Sequence, residues 1–147
     1  LSKRILKAAE KLNKDIKDCH VLYSAHSVPM SYIEKGDPYP EHIKNHIYII
    51  NKMTGIKSFE TAYQSKVGPV KWMQPAMIDI LESYKDKNID NIIIVPISFI
   101  SDHIETLIEL DEQLMPILKN AGKNIVRIES LNDSPDFIEA LSDVINI

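Results

Sequence analysis

The sequence predicts an open, doubly wound α/β fold: a four-stranded parallel sheet with helices on both faces. Three observations lead there. Strand-like apolar runs alternate with amphipathic stretches four times over, the pattern of a parallel sheet built from crossover helices. The run Ile92-Ile93-Ile94-Val95 is apolar at every position, as in a strand buried on both faces. No repeat, low-complexity tract or internal linker interrupts the alternation, so 147 residues suit one domain. With right-handed crossovers, the expected strand order is 2-1-3-4, the flavodoxin-like arrangement.

The elements follow in order. Leu1–Ile16 is helical, with Ile5, Leu6, Ala9, Leu12 and Ile16 at helical spacing. His20–Ala25 is the first strand. Ser27–Pro40 is a loop broken by Gly36, Pro38 and Pro40. Pro40–Met53 is a helix with Ile43, Ile47 and Ile50 on one stripe, stopped by Gly55. Phe59–Tyr63 is the second strand and Gln64–Gln74 a loop. Pro75–Lys87 is a helix with Met77, Ile78, Leu81 and Tyr84 turned inward. Asn91–Ile97 is the third strand, with an end or bulge expected at Pro96, which cannot donate a ladder hydrogen bond. Asp102–Asn120 is a long helix that Pro116 kinks or shortens, with Ile104, Leu107, Ile108, Met115 and Leu118 as its buried stripe. Asn124–Glu129 is the fourth strand, and Pro135–Ile145 the last helix.

Composition narrows the function. Apolar residues make up 44% and charged residues 26%, and the net charge is −4. These values are globular, and with no basic block they argue against a nucleic-acid partner. Cys19 is the lone cysteine, so this chain forms no internal disulfide and cannot supply the usual four thiolates of an iron–sulfur cluster. No apolar run approaches the ~20 residues of a spanning helix. The chain enters helix-like sequence directly at Leu1 and is expected to be a piece of a longer protein.

Open parallel sheets bind ligands beyond the C-terminal strand edge, beside the point where strand order reverses. The loops there carry His26-Ser27-Val28-Pro29, Gln64-Ser65-Lys66 and Ser101-Asp102-His103-Ile104-Glu105. In the 2-1-3-4 order, His26 and Glu105 face one crevice. Imidazole and carboxylate together can bind a divalent metal, accept protons, or both. Asp102, Glu105, Glu109 and Glu112 recur at helical spacing and are expected on one face. That face is a path for cations or protons, or a solvated face favoured by the helix dipole; spacing leaves both open. His26 by itself also suits a structural role at a strand end. His42 and His46 read as a surface pair. Trp72 is a stacking platform or a loop anchor. No phosphate-loop or GxGxxG spacing occurs, which argues against a nucleotide site.

Taken in order, the segments Ser24-Ala25-His26-Ser27-Val28-Pro29-Met30, Gly36-Asp37-Pro38-Tyr39-Pro40, Gln64-Ser65-Lys66-Val67-Gly68-Pro69 with Trp72, Ser101-Asp102-His103-Ile104-Glu105-Thr106 with Glu109-Leu110-Asp111, and Glu129-Ser130-Leu131-Asn132 resemble the ferrochelatase family over nearly the whole chain. The resemblance is to the family's C-terminal half. It implies a chelatase-like fold, a single domain over residues 1–147 of a longer two-domain protein, and insertion of ferrous iron into protoporphyrin IX or a related porphyrin to make haem. His26 matches the family's proton acceptor and iron ligand, Glu105 the acid across the pocket, and His103 and Asp102 its neighbours. Val28, Pro29, Ser65 and Trp72 match positions lining the macrocycle's cleft. Glu109 matches the start of an acidic metal track, whose next acid is here Gln113. The family unwinds this helix into a π-type segment, which lets His103 and Glu105 both address the pocket.

The resemblance further implies porphyrin and Fe²⁺ as substrates, no iron–sulfur cluster in this chain, and the missing N-terminal half as partner, without which the fragment is inactive. It implies a cytoplasmic location, with peripheral contact at the inner membrane and the oligomeric state left open. Imidazole titrates near neutrality and suits proton acceptance from pyrrole N–H groups. Nitrogen and oxygen ligands hold Fe²⁺ without trapping it. A cobalt or nickel tetrapyrrole chelatase, and a non-catalytic flavodoxin-like binding domain, are the competing readings.

Overall fold

The computed structural model describes residues 1–145. Four strands, β1 (His20–His26), β2 (Phe59–Gln64), β3 (Asn91–Pro96) and β4 (Asn124–Arg127), form one parallel sheet in the order β2-β1-β3-β4. This is the expected topology, and it places the reversal of strand order between β1 and β3.

Side-chain parity assigns the two cores. Val21, Tyr23 and Ala25 of β1 point to the face covered by α1 (Ser2–Lys11) and α3 (Tyr39–Thr54). Leu22 points to the other face, with Ala62 of β2 and Ile92 and Ile94 of β3, under α4 (Met77–Tyr84) and α5 (Met115–Asn120). Each fully buried aliphatic side chain here contributes about 1.5–3 kcal/mol. Because successive strand residues alternate faces, Ser24 and His26 share the side of Leu22, and Gln64 that of Ala62. Parity therefore aims the polar strand ends at the helix that follows β3. β3 ends at Pro96, and the next N–H, of Ile97, donates to Ser24 O at 2.9 Å.

Several elements differ from expectation. α1 stops at Lys11, and Asn13 takes a φ of 55° before a 3₁₀ turn at Ile16–Asp18. α2 (Met30–Ile33) is a single turn inside the segment expected as loop. α4 begins at Met77, so its buried positions are Met77, Ile80, Leu81 and Tyr84, and Ile78 is exposed instead of inward. α3 ends as expected, with Gly55 left-handed at φ 75°. α6 (Pro135–Ile145) closes the chain, with no buried residue among its members.

Between Ile104 and Leu114 the helix takes the π-type form that the family resemblance implies, which corrects the reading made from α spacing. Glu105–Leu114 is a π-helix, continuing into α5 with Pro116 in its first turn. A π turn closes with i→i+5 bonds and takes about one residue more than an α turn. The first part of the apolar stripe read at α spacing therefore rotates outward, while Met115 and Leu118 stay buried in α5 as expected. Ile104 is 71% exposed, and Leu107 and Ile108 are also exposed. Thr106 and Leu110 are buried in their place. The acidic residues do not share one face either. Asp102 precedes the helix and turns toward β4, Glu109 turns toward β2, and Glu112 is exposed.

Candidate active site

His26 ends β1 and is pinned through its backbone. Its N–H donates to Ser98 Oγ at 2.8 Å, and its carbonyl accepts from the Tyr39 hydroxyl at 2.8 Å. Its ring Nδ1 lies 2.6 Å from Ser27 O. A carbonyl accepts only, so Nδ1 carries the proton and Nε2 of the neutral ring presents a lone pair. That Nε2 sits 3.4 Å from Glu105 Oε1. Two acceptors at this separation share a proton or a cation. At the ~2.1 Å usual for nitrogen and oxygen ligands of a metal such as zinc, one ion reaches both without movement.

The other carboxylate oxygen of Glu105 lies 3.0 Å from His103 Nδ1. Phe99, buried, packs against both imidazoles, with ring centroids 6.1 Å from His26 and 5.3 Å from His103. His103 is fixed by Thr106, whose Oγ1 accepts from its N–H at 2.9 Å and donates to its carbonyl at 3.0 Å. The side chains of His26 and Glu105 are 39% and 32% exposed, so the pair stands at an open rim. A groove of about 720 Å³ between α3 and β2 is lined by Ile43, Ile47, Tyr48, Phe59 and Tyr63 among others, and none of His26, His103 or Glu105 lines it. Among the described residues, no three His, Cys, Asp or Glu side chains form a ready metal cage.

Asp102 is not brought to this pair. Its carboxylate accepts from Arg127 Nη1 at 2.7 Å, Asn132 Nδ2 at 3.1 Å and Ser130 N at 3.2 Å. Burial would raise its pKa, but these hydrogen bonds and the Arg127 charge outweigh burial and hold it below the ordinary value. Arg127 also grips Asp111 of the π-helix through two bonds of 2.7 and 2.8 Å. Glu109 is engaged on the opposite flank. It accepts from Ser65 N at 2.9 Å, Ser65 Oγ at 2.6 Å and Gln64 Nε2 at 3.2 Å.

Val28, Pro29 and Trp72 are brought together. The Met30 N–H donates to Lys71 O at 2.8 Å, and the Met73 N–H to Val28 O at 3.2 Å. Pro29 and Trp72 thus pair in a short antiparallel ribbon beside His26. Val67 and Val70 on the β2 loop, and Ile100 and Ile104 on the β3 loop, are exposed apolar residues on the segments that carry the site.

Sequence reasoning missed Ser98, Phe99 and Arg127, and it put Gln64 in the loop after β2, not on the strand. Gln64 and Arg127 lie at the ends of β2 and β4, where polar residues normally meet solvent; their burial is a property of the assembled sheet.

Comparison with known proteins adds four findings. The sequence model of the family Ferrochelatase matches residues 1–147. A ferrochelatase of Geobacter sp. (strain M21) is 42% identical over 132 residues, covering 89% of this chain and 42% of that protein. The mitochondrial ferrochelatase of Dictyostelium discoideum is 44% identical over 135 residues, covering 86% of this chain and 32% of that protein. The chain thus spans less than half the length of these relatives. Among solved structures, a putative cobalamin biosynthesis CbiX protein from Marinobacter aquaeolei VT8 superimposes with a TM-score of 0.53 at 15% identity, over 86% of this chain and 93% of that one, a likeness of fold alone. With a match that runs the full length of the sequence, the chain belongs to the ferrochelatase family.

Proposed function

We propose that this chain is the C-terminal, metal-inserting half of a ferrochelatase, which places ferrous iron in protoporphyrin IX or a related porphyrin to make haem. The N-terminal half supplies the rest of the cleft, so the chain alone is inactive. The observation that carries the reading is the His26–Glu105 pair, with Nε2 facing Oε1 at 3.4 Å and Nδ1 committed to Ser27 O.

Iron insertion removes two pyrrole protons from the neutral macrocycle as Fe²⁺ enters, so charge balances. The first proton passes to His26 Nε2, the free lone pair at the rim. Glu105 stabilises the imidazolium that forms. The carboxylate then takes the second proton with His103, whose Nδ1 lies 3.0 Å from it. Fe²⁺ is substrate: it rests between His26 and Glu105 before insertion, and its departure into the macrocycle frees the lone pairs that take the two protons. The ring lies along Val28, Pro29, Ser65 and Trp72. Asp102 and Glu109, expected as metal residues, serve by anchoring the segment before the π-helix and the middle of that helix while their present hydrogen bonds last; Glu109 becomes a ligand only when the Ser65 loop releases it.

His26→Ala and Glu105→Gln in the complete protein test this reading by the absorbance change of metalloporphyrin formation. Each is expected to lower kcat on the order of 10²–10⁴-fold, the usual worth of a proton-transfer group. Insertion within about twofold of wild type would refute it. Running Fe²⁺, Co²⁺ and Ni²⁺ in parallel separates an iron chelatase from one for cobalt or nickel.

A further inference from the structure

We propose that Gln64 is a positioning residue that sets the gap between His26 and Glu105 by latching the π-helix to the sheet. The inference rests on the reading of His26 and Glu105 given above.

The side chain of Gln64 is 2% exposed and all its polar atoms are used. Its Oε1 accepts from Ser24 Oγ, two residues before His26 on the same strand and face. Its Nε2 donates to the carbonyl of Glu105 at 2.7 Å and to Glu109 Oε2 at 3.2 Å. One amide therefore joins the strand that carries the imidazole to the backbone of the residue that carries the carboxylate. Glutamine suits this place because it alone among side chains of its length offers a neutral acceptor at one corner and two donors at the other. Glutamate would bring a second negative charge against Glu109 and lose the donors.

A second observation points the same way. Ser65 holds a left-handed backbone at φ 65°, a region non-glycine residues seldom adopt. The conformation turns its N–H and its hydroxyl onto Glu109. Backbone strain of this kind gathers at sites where position matters. The latch engages Glu105 and Glu109, residues four apart, from one point. Residues four apart lie on nearly one face of a helix, so a single amide reaches the Glu105 carbonyl and the Glu109 carboxylate together. Gln64 thus holds the start of the π-helix against the sheet, where Glu105 Oε1 stands before His26.

The test uses the complete protein and two variants. Gln64→Glu removes the donors. The double variant Ser24→Ala/Gln64→Leu makes the Ser24–Gln64 contact apolar, a replacement that proteins tolerate far better than an orphaned partner. Amide hydrogen exchange is read at Glu105–Leu114 and at Ile92–Val95. In both variants exchange over the π-helix is expected to rise about tenfold or more, with β3 unchanged. With porphyrin and Fe²⁺, kcat falls at least tenfold while KM stays within about threefold. Unchanged π-helix exchange, or an equal rise in β3, would overturn the latch. These exchange results stand whether or not His26 and Glu105 prove to act in chemistry. A folded variant with a loosened π-helix and undiminished kcat would overturn the positioning role.

Discussion

His26 and Glu105 approach to 3.4 Å from opposite sides of the strand-order reversal, although 79 positions separate them in the chain. Each arrives by a different device. His26 stands where parity on β1 directs it, its tautomer set by Ser27. Glu105 stands where the π-helix begins, its carbonyl held by Gln64 and its carboxylate flanked by His103. The gap is a product of strand, loop and helix together.

The π register makes a prediction that an α-helical reading of the same residues contradicts. Ile104→Asp is expected to leave unfolding stability within about 0.5 kcal/mol, because the side chain is already in solvent. Leu110→Ala, at a fully buried position, is expected to cost about 2–5 kcal/mol. Urea denaturation of the two variants checks both.

Arg127 is a buried cation between two carboxylates, its side chain 7% exposed. Arg127→Met takes the cation from both Asp111 and Asp102, and leaves Asp102 only its bonds from Asn132 and Ser130. Breaking a buried pair from one side costs about 3–5 kcal/mol. Arg127→Lys is expected to recover only part of this, since lysine cannot reproduce the bidentate grip on Asp111. Thermal unfolding of the two variants measures the difference.

His20 predicts a pH dependence at the other end of the sheet. Tyr84 donates its hydroxyl proton to Glu60 Oε2 at 2.7 Å, so His20 Nε2 donates to Tyr84 and its Nδ1 accepts from Ser58. Burial lowers its pKa, with Glu60 opposing in part. The folded protein therefore binds this proton less readily than the unfolded chain. Stability contributed by neutral His20 is full above the ordinary histidine value of about 6.5 and declines as pH falls below it, down to the lowered folded value. Melting temperatures between pH 7.5 and 5 are expected to fall less steeply in His20→Gln than in wild type.

The topology was legible because four apolar runs alternate with helices, and Ile92–Val95 could only be central. His26, His103 and Glu105 were legible because they close strands or open the next segment. The interior of residues 102–120 was not legible from spacing; only the family resemblance implied its π-type segment. Nothing in Glu105–Leu114 marks an added residue per turn, so α spacing put Ile104 inside and Asp102 beside Glu105. The partners that hold this segment, Gln64 and Arg127, stand on β2 and β4. Their hydrogen bonds span 41 and 25 positions and exist only once the sheet has assembled.

The most direct measurement is anomalous diffraction from crystals of the complete protein soaked with Co²⁺ as a stand-in for Fe²⁺. The expected result is a metal peak between His26 Nε2 and Glu105 Oε1 that disappears in Glu105→Gln. A peak confined to other groups such as His42 and His46, with nothing between His26 and Glu105, would contradict the account.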